Sequence, residues 1–354
     1  MSYVTPPAPT QIPGESRSSV QHFEVTEEEA GQRLDNYLQR RLAGVPRSRL
    51  YRVIRKGEVR VNGHRVGPER RLQPHDRVRI PPMRLAPPPE PGRPSAELIA
   101  RIERAIVRVD DNLIVLDKPT GVAVHGGSGV SFGVIEALRA ARPAESLELV
   151  HRLDRETSGC LLIARRRAAL RELHALMRTD GFEKRYLVLV MGKWELGAKR
   201  IDVPLRTDTR VGGERTVRAG SSGKASVSDF RPVQFFGKTA TLMEVTLHTG
   251  RTHQIRVHAA YAGHPVAGDE KYGDAAFNES LRGLGLNRMF LHAHSLSFCW
   301  PRGAEFSINT PLPEELSTLI DALAGLSKGR RGNFREAGSP PRAARKRARS
   351  TAGR

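Results

Sequence analysis

Leu149-Val150-His151-Arg152-Leu153-Asp154-Arg155-Glu156-Thr157-Ser158-Gly159 runs directly into the apolar Cys160-Leu161-Leu162-Ile163-Ala164. One carboxylate, Asp154, stands among His151, Arg152 and Arg155, in a loop between two strand-like stretches, and Thr-Ser-Gly is a turn by composition. An acid in such a loop is held by strands yet open to a substrate. A solvated loop with a local ion pair is the plain alternative. Working outward, 105–109, 113–116, 186–190, 227–236 and 241–247 read as strands. Helices are expected over 132–141, 166–177 and 314–326, with another beginning near Thr252. Strands outnumber helices and do not alternate with them regularly, so the fold class is α+β with a mixed, largely antiparallel sheet.

The chain of 354 residues carries a formal net charge of +20, unevenly spread. Residues 1–30 sum to −4, residues 31–82 to +10, residues 83–327 to +5 and residues 328–354 to +9. Excess basicity confined to one module and a tail points to a polyanion, most often nucleic acid. No stretch approaches the roughly 18 apolar residues of a membrane helix. The Pro/Ser/Thr-rich start has no apolar core of a signal peptide. Cys160 and Cys299 are the only cysteines, too few for a disulfide framework, which fits the cytoplasm.

These shifts divide the chain. Residues 1–30 form a disordered lead-in, 31–82 a small α/β module, 83–96 a Pro-rich linker, 97–327 the large domain and 328–354 a disordered basic tail. In the module, Leu34, Tyr37, Leu38 and Leu42 fall at helical spacing. Ser48 is the expected N-cap of a second helix, with Leu50, Val53 and Ile54 on one side. Its other side carries Arg47, Arg49, Arg52, Arg55 and Lys56, and Arg60 follows in a hairpin around Asn62-Gly63. Such basic rows suit phosphates, which position rather than specify.

Three further stretches carry chemistry. Asp117-Lys118-Pro119-Thr120-Gly121 begins a glycine-rich loop that lacks G-x-G-x-x-G spacing and has no G-x-S-x-G partner, so it reads as a structural loop beside a cleft. Tyr186 heads a strand, where it either fills a core edge or stacks on a base. In Thr249-Gly250-Arg251-Thr252-His253-Gln254-Ile255-Arg256-Val257-His258, Thr252 is the expected cap, and His253, Arg256 and Val257 share a helix face. A buried Arg256 wants a carboxylate, and Asp154 is the expected partner, kept ionised by it. His253, His258, His264, His292 and His294 match no metal-ligand spacing, so no metal is expected.

The segments L-D-K-P-x-G, H-R-L-D-x-x-T-S-G, K-x-Y, G-R-T-H-Q-I-R-x-H, G-H-P-V-A-G-D-x-x-Y-G and L-H-A-H-S-L-x-F, in this order, resemble the RluA-type pseudouridine synthases. GQRLDNYLQRRL…SRLYRVIRKGEVRVNG resembles the S4 RNA-binding domain. Together they look like the large-subunit ribosomal RNA enzymes of that family, across about residues 31–325. The resemblance implies that uridine is isomerised: the N-glycosidic bond breaks, uracil rotates, and C5 bonds to C1′. It implies Asp154 as catalytic carboxylate, Tyr186 packed on the base and assisting proton removal, and Arg256 paired with Asp154. Arg152 would fill the gap left by the extruded base, with His151, Arg251 and His253 on the substrate. It implies no metal, nucleotide or redox cofactor. The implied partner is 23S ribosomal RNA or the immature large subunit, met by a monomer away from any membrane. A nucleoside hydrolase remains open, with Glu156 or Asp117 as second carboxylate, and so does a non-catalytic RNA-binding assembly factor.

Overall fold

The computed structural model describes residues 19–42, 45, 47–83, 92–127, 130–179, 181–209 and 215–336, and the chain divides into two units, Met1–Arg93 and Pro94–Arg354. The first contains β1 (Gln21–Glu24), α1 (Leu34–Arg41), α2 (Arg47–Arg55), β2 (Arg60–Val61), β3 (His64–Arg65) and β4 (Arg77–Ile80). Its sheet runs β1-β4-β2-β3. Leu34, Tyr37 and Leu38 from α1 and Leu50, Val53 and Ile54 from α2 bury against Val59, Val61 and Val78. Asn62 and Gly63 take φ of 51° and 81°, the left-handed pair that a tight β2–β3 hairpin requires.

Three expectations need correction here. The lead-in is not disordered to residue 30: β1 pairs with β4 and Val25 is fully buried. Its Phe23/Val25 alternation is too short to stand out from the acidic residues around it. The second helix starts at Arg47, one residue before the expected cap Ser48. Met83, assigned to the linker, is buried in this unit's core. Residues 84–91, most of the proline-rich run, lie outside the described residues.

The second unit opens with α3 (Ala96–Arg104), β5 (Ile106–Val109), β6 (Leu113–Lys118), α4 (Val134–Ala141), β7 (Glu148–Leu149), β8 (Ser158–Ala164) and α5 (Arg167–Leu176). There follow β9 (Phe182–Met191), β10 (Lys199–Asp202), β11 (Leu205–Thr209), β12 (Arg215–Ala219), β13 (Val227–Phe236) and β14 (Ala240–Leu247). It closes with α6 (Gln254–Tyr261), α7 (Ala275–Arg282), β15 (Leu291–Cys299), β16 (Glu305–Asn309) and α8 (Glu314–Glu336). The sheet order is β10-β13-β14-β9-β15-β8-β6-β5, with β16 on β15 and β7 on β8. Within it, β15–β8 is parallel and the other pairs are antiparallel. The α+β expectation holds.

Both faces of the central sheet are covered. Along β8, Leu161 and Ile163 join one core, while Cys160, Leu162 and Ala164 join another, which explains its unbroken apolar run. On β9, Tyr186, Val188 and Val190 face the first core and Leu187, Leu189 and Met191 a third under α8. Gly159 makes the parallel crossing possible: its φ is +108°, and a Cβ there would lie 2.3 Å from the Ala293 carbonyl oxygen. The tail is also shorter than expected, because α8 continues through 328–336. Proline is absent from Glu314 to Ser339, and Glu314 and Glu315 suit a helix start. Residues 337–354 lie outside the described residues.

Candidate active site

The loop before β8 is braced from below. Lys118, at the end of β6, is fully buried and donates to the carbonyls of Pro119 (2.9 Å), Val122 (2.8 Å) and Arg155 (3.1 Å). Burial pulls its pKa down to about 7, while the three carbonyls favour the protonated form. The Thr120 hydroxyl donates to Glu156 O (2.8 Å), and Gly121 N–H to Arg155 O (2.9 Å). Behind the loop, Arg288 donates to Ser158 Oγ at 2.7 Å, and Ser158 Oγ lies 2.9 Å from His292 Nδ1. The glycine-rich loop is therefore structural, as expected, but it braces the Asp154 loop from behind and none of its described residues lines the cleft.

The brace presents Asp154, its side chain 23% exposed, to a cleft of about 180 Å³. His151, Arg152, Thr157, Lys184, Tyr186 and residues 250–256 line it, with Leu153, Met177, Leu247 and Leu291 as apolar wall. Arg256 Nη1 stands 3.6 Å and His253 Nε2 4.0 Å from Asp154 Oδ2. Asp154 is not the main partner of Arg256. Asp269, fully buried, takes Arg256 Nε and Nη2 on its two oxygens, each at 2.7 Å. Asp269 Oδ1 also accepts from Lys271 N–H (2.9 Å) and Tyr272 N–H (3.0 Å); Arg256 first, and then these amides, hold its carboxyl below the usual range against the effect of burial. Arg256 is thus fixed from behind, and its third nitrogen is aimed at Asp154. The G-D-x-x-Y-G stretch held this partner; nothing in its spacing from Arg256 marked it.

The expected cap Thr252 does not cap α6. The N-cap is His253, in the left-handed region at φ 54°, ψ 22°, which is costly for a residue other than glycine. Gln254, buried, secures the turn: its Oε1 accepts from Arg251 N–H (3.0 Å) and the Thr249 hydroxyl (2.7 Å), and its Nε2 donates to Val227 O (2.9 Å) and Ser228 Oγ (2.8 Å). This fastening holds the His253 ring over the cleft. Burial keeps its imidazole below the ordinary pKa, against the pull of Asp154.

Tyr186 forms the opposite wall, buried on β9; burial first, and then the Asp154 charge, push its phenol above the ordinary value. It is a neutral phenol at neutral pH. His151 lines the cleft, but its Nε2 accepts the Leu162 N–H at 3.2 Å and burial lowers its pKa to about 3. It is therefore a neutral strut as much as a contact. Arg152 is exposed, with no ion pair among the described residues, and Arg251 is exposed with Nε on Ala225 O (3.1 Å). Lys184, which sequence reasoning left without a role, also lines the cleft. Among the other histidines, His258 bonds Ser228 Oγ and Val203 O, His264 bonds Met191 O, and His294 bonds Thr310 O. Among the described residues, no three His, Cys, Asp or Glu are grouped to hold a metal.

In the first unit, Arg49, Arg52, Arg55, Lys56 and Arg60 are all exposed, while the side chain of Arg47 lies outside the described set. Arg55 Nε reaches Tyr51 O at 3.3 Å, and Arg60 reaches Gly57 O and Gly63 O at 3.4 Å. These weak ties leave a basic face open to solvent.

Comparison with known proteins identifies the family. A family model described as RNA pseudouridylate synthase matches residues 112–261, and one described as the S4 domain matches residues 32–78. Ribosomal large subunit pseudouridine synthase C of Haemophilus ducreyi is 50% identical over 309 residues, covering 86% of this chain and 96% of that protein. The Escherichia coli protein of the same name is 49% identical over 310 residues, 86% and 97% of the two chains. The solved structure titled Human RNA Pseudouridylate Synthase Domain Containing 4 matches at 26% identity with a TM-score of 0.54, over 64% of this chain and 96% of that one. With about half its residues shared along nearly the whole length of such relatives, the chain belongs to the RNA pseudouridylate synthases and carries an S4 domain at its front.

Proposed function

We propose that this chain converts specific uridines of 23S ribosomal RNA to pseudouridine, with Asp154 as the reacting carboxylate. It acts as a cytoplasmic monomer on the RNA or on the immature large subunit. One observation carries the reading beyond family membership: among the described residues lining the cleft, Asp154 is the only carboxylate. Hydrolysis of a glycosidic bond generally uses two, about 5–10 Å apart. Glu156, a candidate second acid, pairs with Arg155 at 2.7 Å and does not line the cleft. Asp117 is half-buried on β6, outside it. Asp269 has both oxygens taken by Arg256.

A lone carboxylate suits isomerisation. The N1–C1′ bond breaks, the C5–C1′ bond forms, the C5 proton is lost and N1 gains one, so no oxidant or water is consumed. Asp154 supplies the negative charge, and Arg256 Nη1 stands 3.6 Å from its Oδ2 as counter-charge. Tyr186 packs against the base as a neutral phenol, and Arg152 fills the place the base leaves. Extruding the uridine costs a few kcal/mol, which phosphate contacts of Arg47, Arg49, Arg52, Arg55, Lys56 and Arg60 offset. The test is tritium release from ribosomal RNA labelled at uridine C5, with wild type beside Asp154→Asn. Release by the wild type alone supports the proposal; release by the variant at the wild-type rate removes Asp154 from the chemistry. No release from either, on free RNA and on immature particles, favours the assembly-factor reading.

A further inference from the structure

The clamp on Arg256 continues into a second chain of hydrogen bonds that the reaction as described does not use. Tyr272 Oη lies between two partners, accepting from Val217 N–H of β12 at 3.0 Å and lying 2.8 Å from His253 Nδ1. Its ring also stacks under Arg256, whose guanidinium carbon is 5.0 Å from the ring centre. Around it, Leu205, Val217 and Val257 form a small core that packs the β11–β12 hairpin onto α6. With the Val217 amide donating to the oxygen, the phenolic proton is free to point at His253 Nδ1. The imidazole then carries its own proton on Nε2, the nitrogen 4.0 Å from Asp154 Oδ2.

We propose that Tyr272 is a positioning residue that holds His253 in the neutral Nε2–H tautomer facing Asp154 and makes the seating of the β11–β12 hairpin part of the active geometry. The proposal rests on Asp154 being the reacting carboxylate. The proton order runs Val217 N–H to Tyr272 Oη, Tyr272 O–H to His253 Nδ1, and His253 Nε2–H towards Asp154. His253 is placed for this by its left-handed backbone, kept despite the strain. The charged groups facing its ring are Asp154 from the loop, Arg256 from its own helix, and Asp269 and Lys271 from the turn that carries Tyr272. β12 presents the Val217 amide, and Arg152 and Arg251 line the same cleft. Protonating Nδ1 would displace the tyrosine proton, so the bond from Tyr272 opposes the charged imidazole.

Tyr272→Phe removes the hydroxyl and keeps the ring under Arg256. The tautomer is read directly by ¹⁵N spectra of histidine-labelled enzyme, with His253→Gln to assign the signal; this needs no substrate. Wild type is expected to show His253 neutral with its proton on Nε2 at neutral pH, and Tyr272→Phe to show mixed tautomers. In single-turnover rates with bound RNA, the variant is expected to be slower by about 10- to 100-fold with unchanged RNA affinity. Its acid limb moves to higher pH as His253 titrates more easily. A wild-type His253 protonated on Nδ1, or a Tyr272→Phe variant with the wild-type rate and acid limb, overturns the proposal. If wild type itself makes no product, the spectra still decide the tautomer, and the failure belongs to the isomerase reading instead.

Discussion

Replacing Asp269 with Asn takes one side of the arginine clamp away while leaving its shape. An Asn carbonyl oxygen can occupy the Oδ1 position and keep the bonds from Arg256 Nη2, Lys271 N–H and Tyr272 N–H. Its amide nitrogen then falls where Oδ2 was, 2.7 Å from Arg256 Nε, donor against donor. Arg256 is only 9% exposed, so the lost charge is not replaced by water. Breaking one side of a buried pair costs about 3–5 kcal/mol. At roughly 2–4 °C per kcal/mol, the melting temperature should fall by about 6–20 °C. The freed guanidinium is drawn to its remaining counter-charge, Asp154 at 3.6 Å, and closes on the oxygen that must reach the nucleoside. The single-turnover rate should fall by at least about tenfold. Thermal unfolding followed by circular dichroism and the tritium assay measure the two effects. A variant that melts within about 1 °C of wild type and reacts at the same rate would refute the clamp, because no buried pair can lose a charge so cheaply.

Other perturbations reach different parts of the chain. Gly159→Ala forces a Cβ to 2.3 Å from Ala293 O at a φ of +108°, so it should abolish soluble protein or lower stability severely. Gly220→Ala, with nothing within 4 Å of the added carbon, should express normally in the same soluble-yield test. His292 is fully buried with its pKa drawn down to about 4, so the unfolded chain takes up its proton first as pH falls. Its contribution is therefore complete above about pH 6.5 and lost between there and about pH 4, up to about 3 kcal/mol. Urea midpoints at pH 7 and pH 4.5 should fall less for His292→Gln than for wild type; equal falls would place the acid lability elsewhere. Arg52→Gln with Arg55→Gln should weaken RNA binding and flatten its salt dependence by about one unit of slope for each lost phosphate contact. An unchanged slope in filter binding would mean that this face does not meet phosphate.

Much of the site was legible because its parts sit in dense local patterns. Asp154 and Arg256 stood out by charge and helix face, Tyr186 took its role only from the family resemblance, and the structure brings all three to one cleft. What stayed hidden depends on contacts between distant segments. Asp269 reaches Arg256 across a turn of no period, and Lys118 is a buried brace that looks in sequence like a solvated loop charge. The cap of α6 was misplaced at Thr252 because propensity favours threonine there, whereas Gln254 fastens the loop and leaves His253 to bear the strained dihedrals. The parallel β15–β8 contact was equally unreadable, since register between strands more than a hundred residues apart depends on one glycine.

The brace beneath Asp154 also separates shape from spelling. Lys118, Thr120 and Gly121 hold Pro119, Val122, Arg155 and Glu156 through backbone carbonyls and never through their side chains. Every residue type carries that carbonyl. Side chains at 155 and 156, both open to solvent in part, can therefore drift to meet a different RNA without moving the carboxylate next to them. Position 118 has no such freedom, because one long, buried, three-pronged donor serves three acceptors at once. In a library randomised at 118, 155 and 156, diversity should survive at the two exposed loop positions and collapse at the lysine, so new target sites can be explored while the chemistry stays in place.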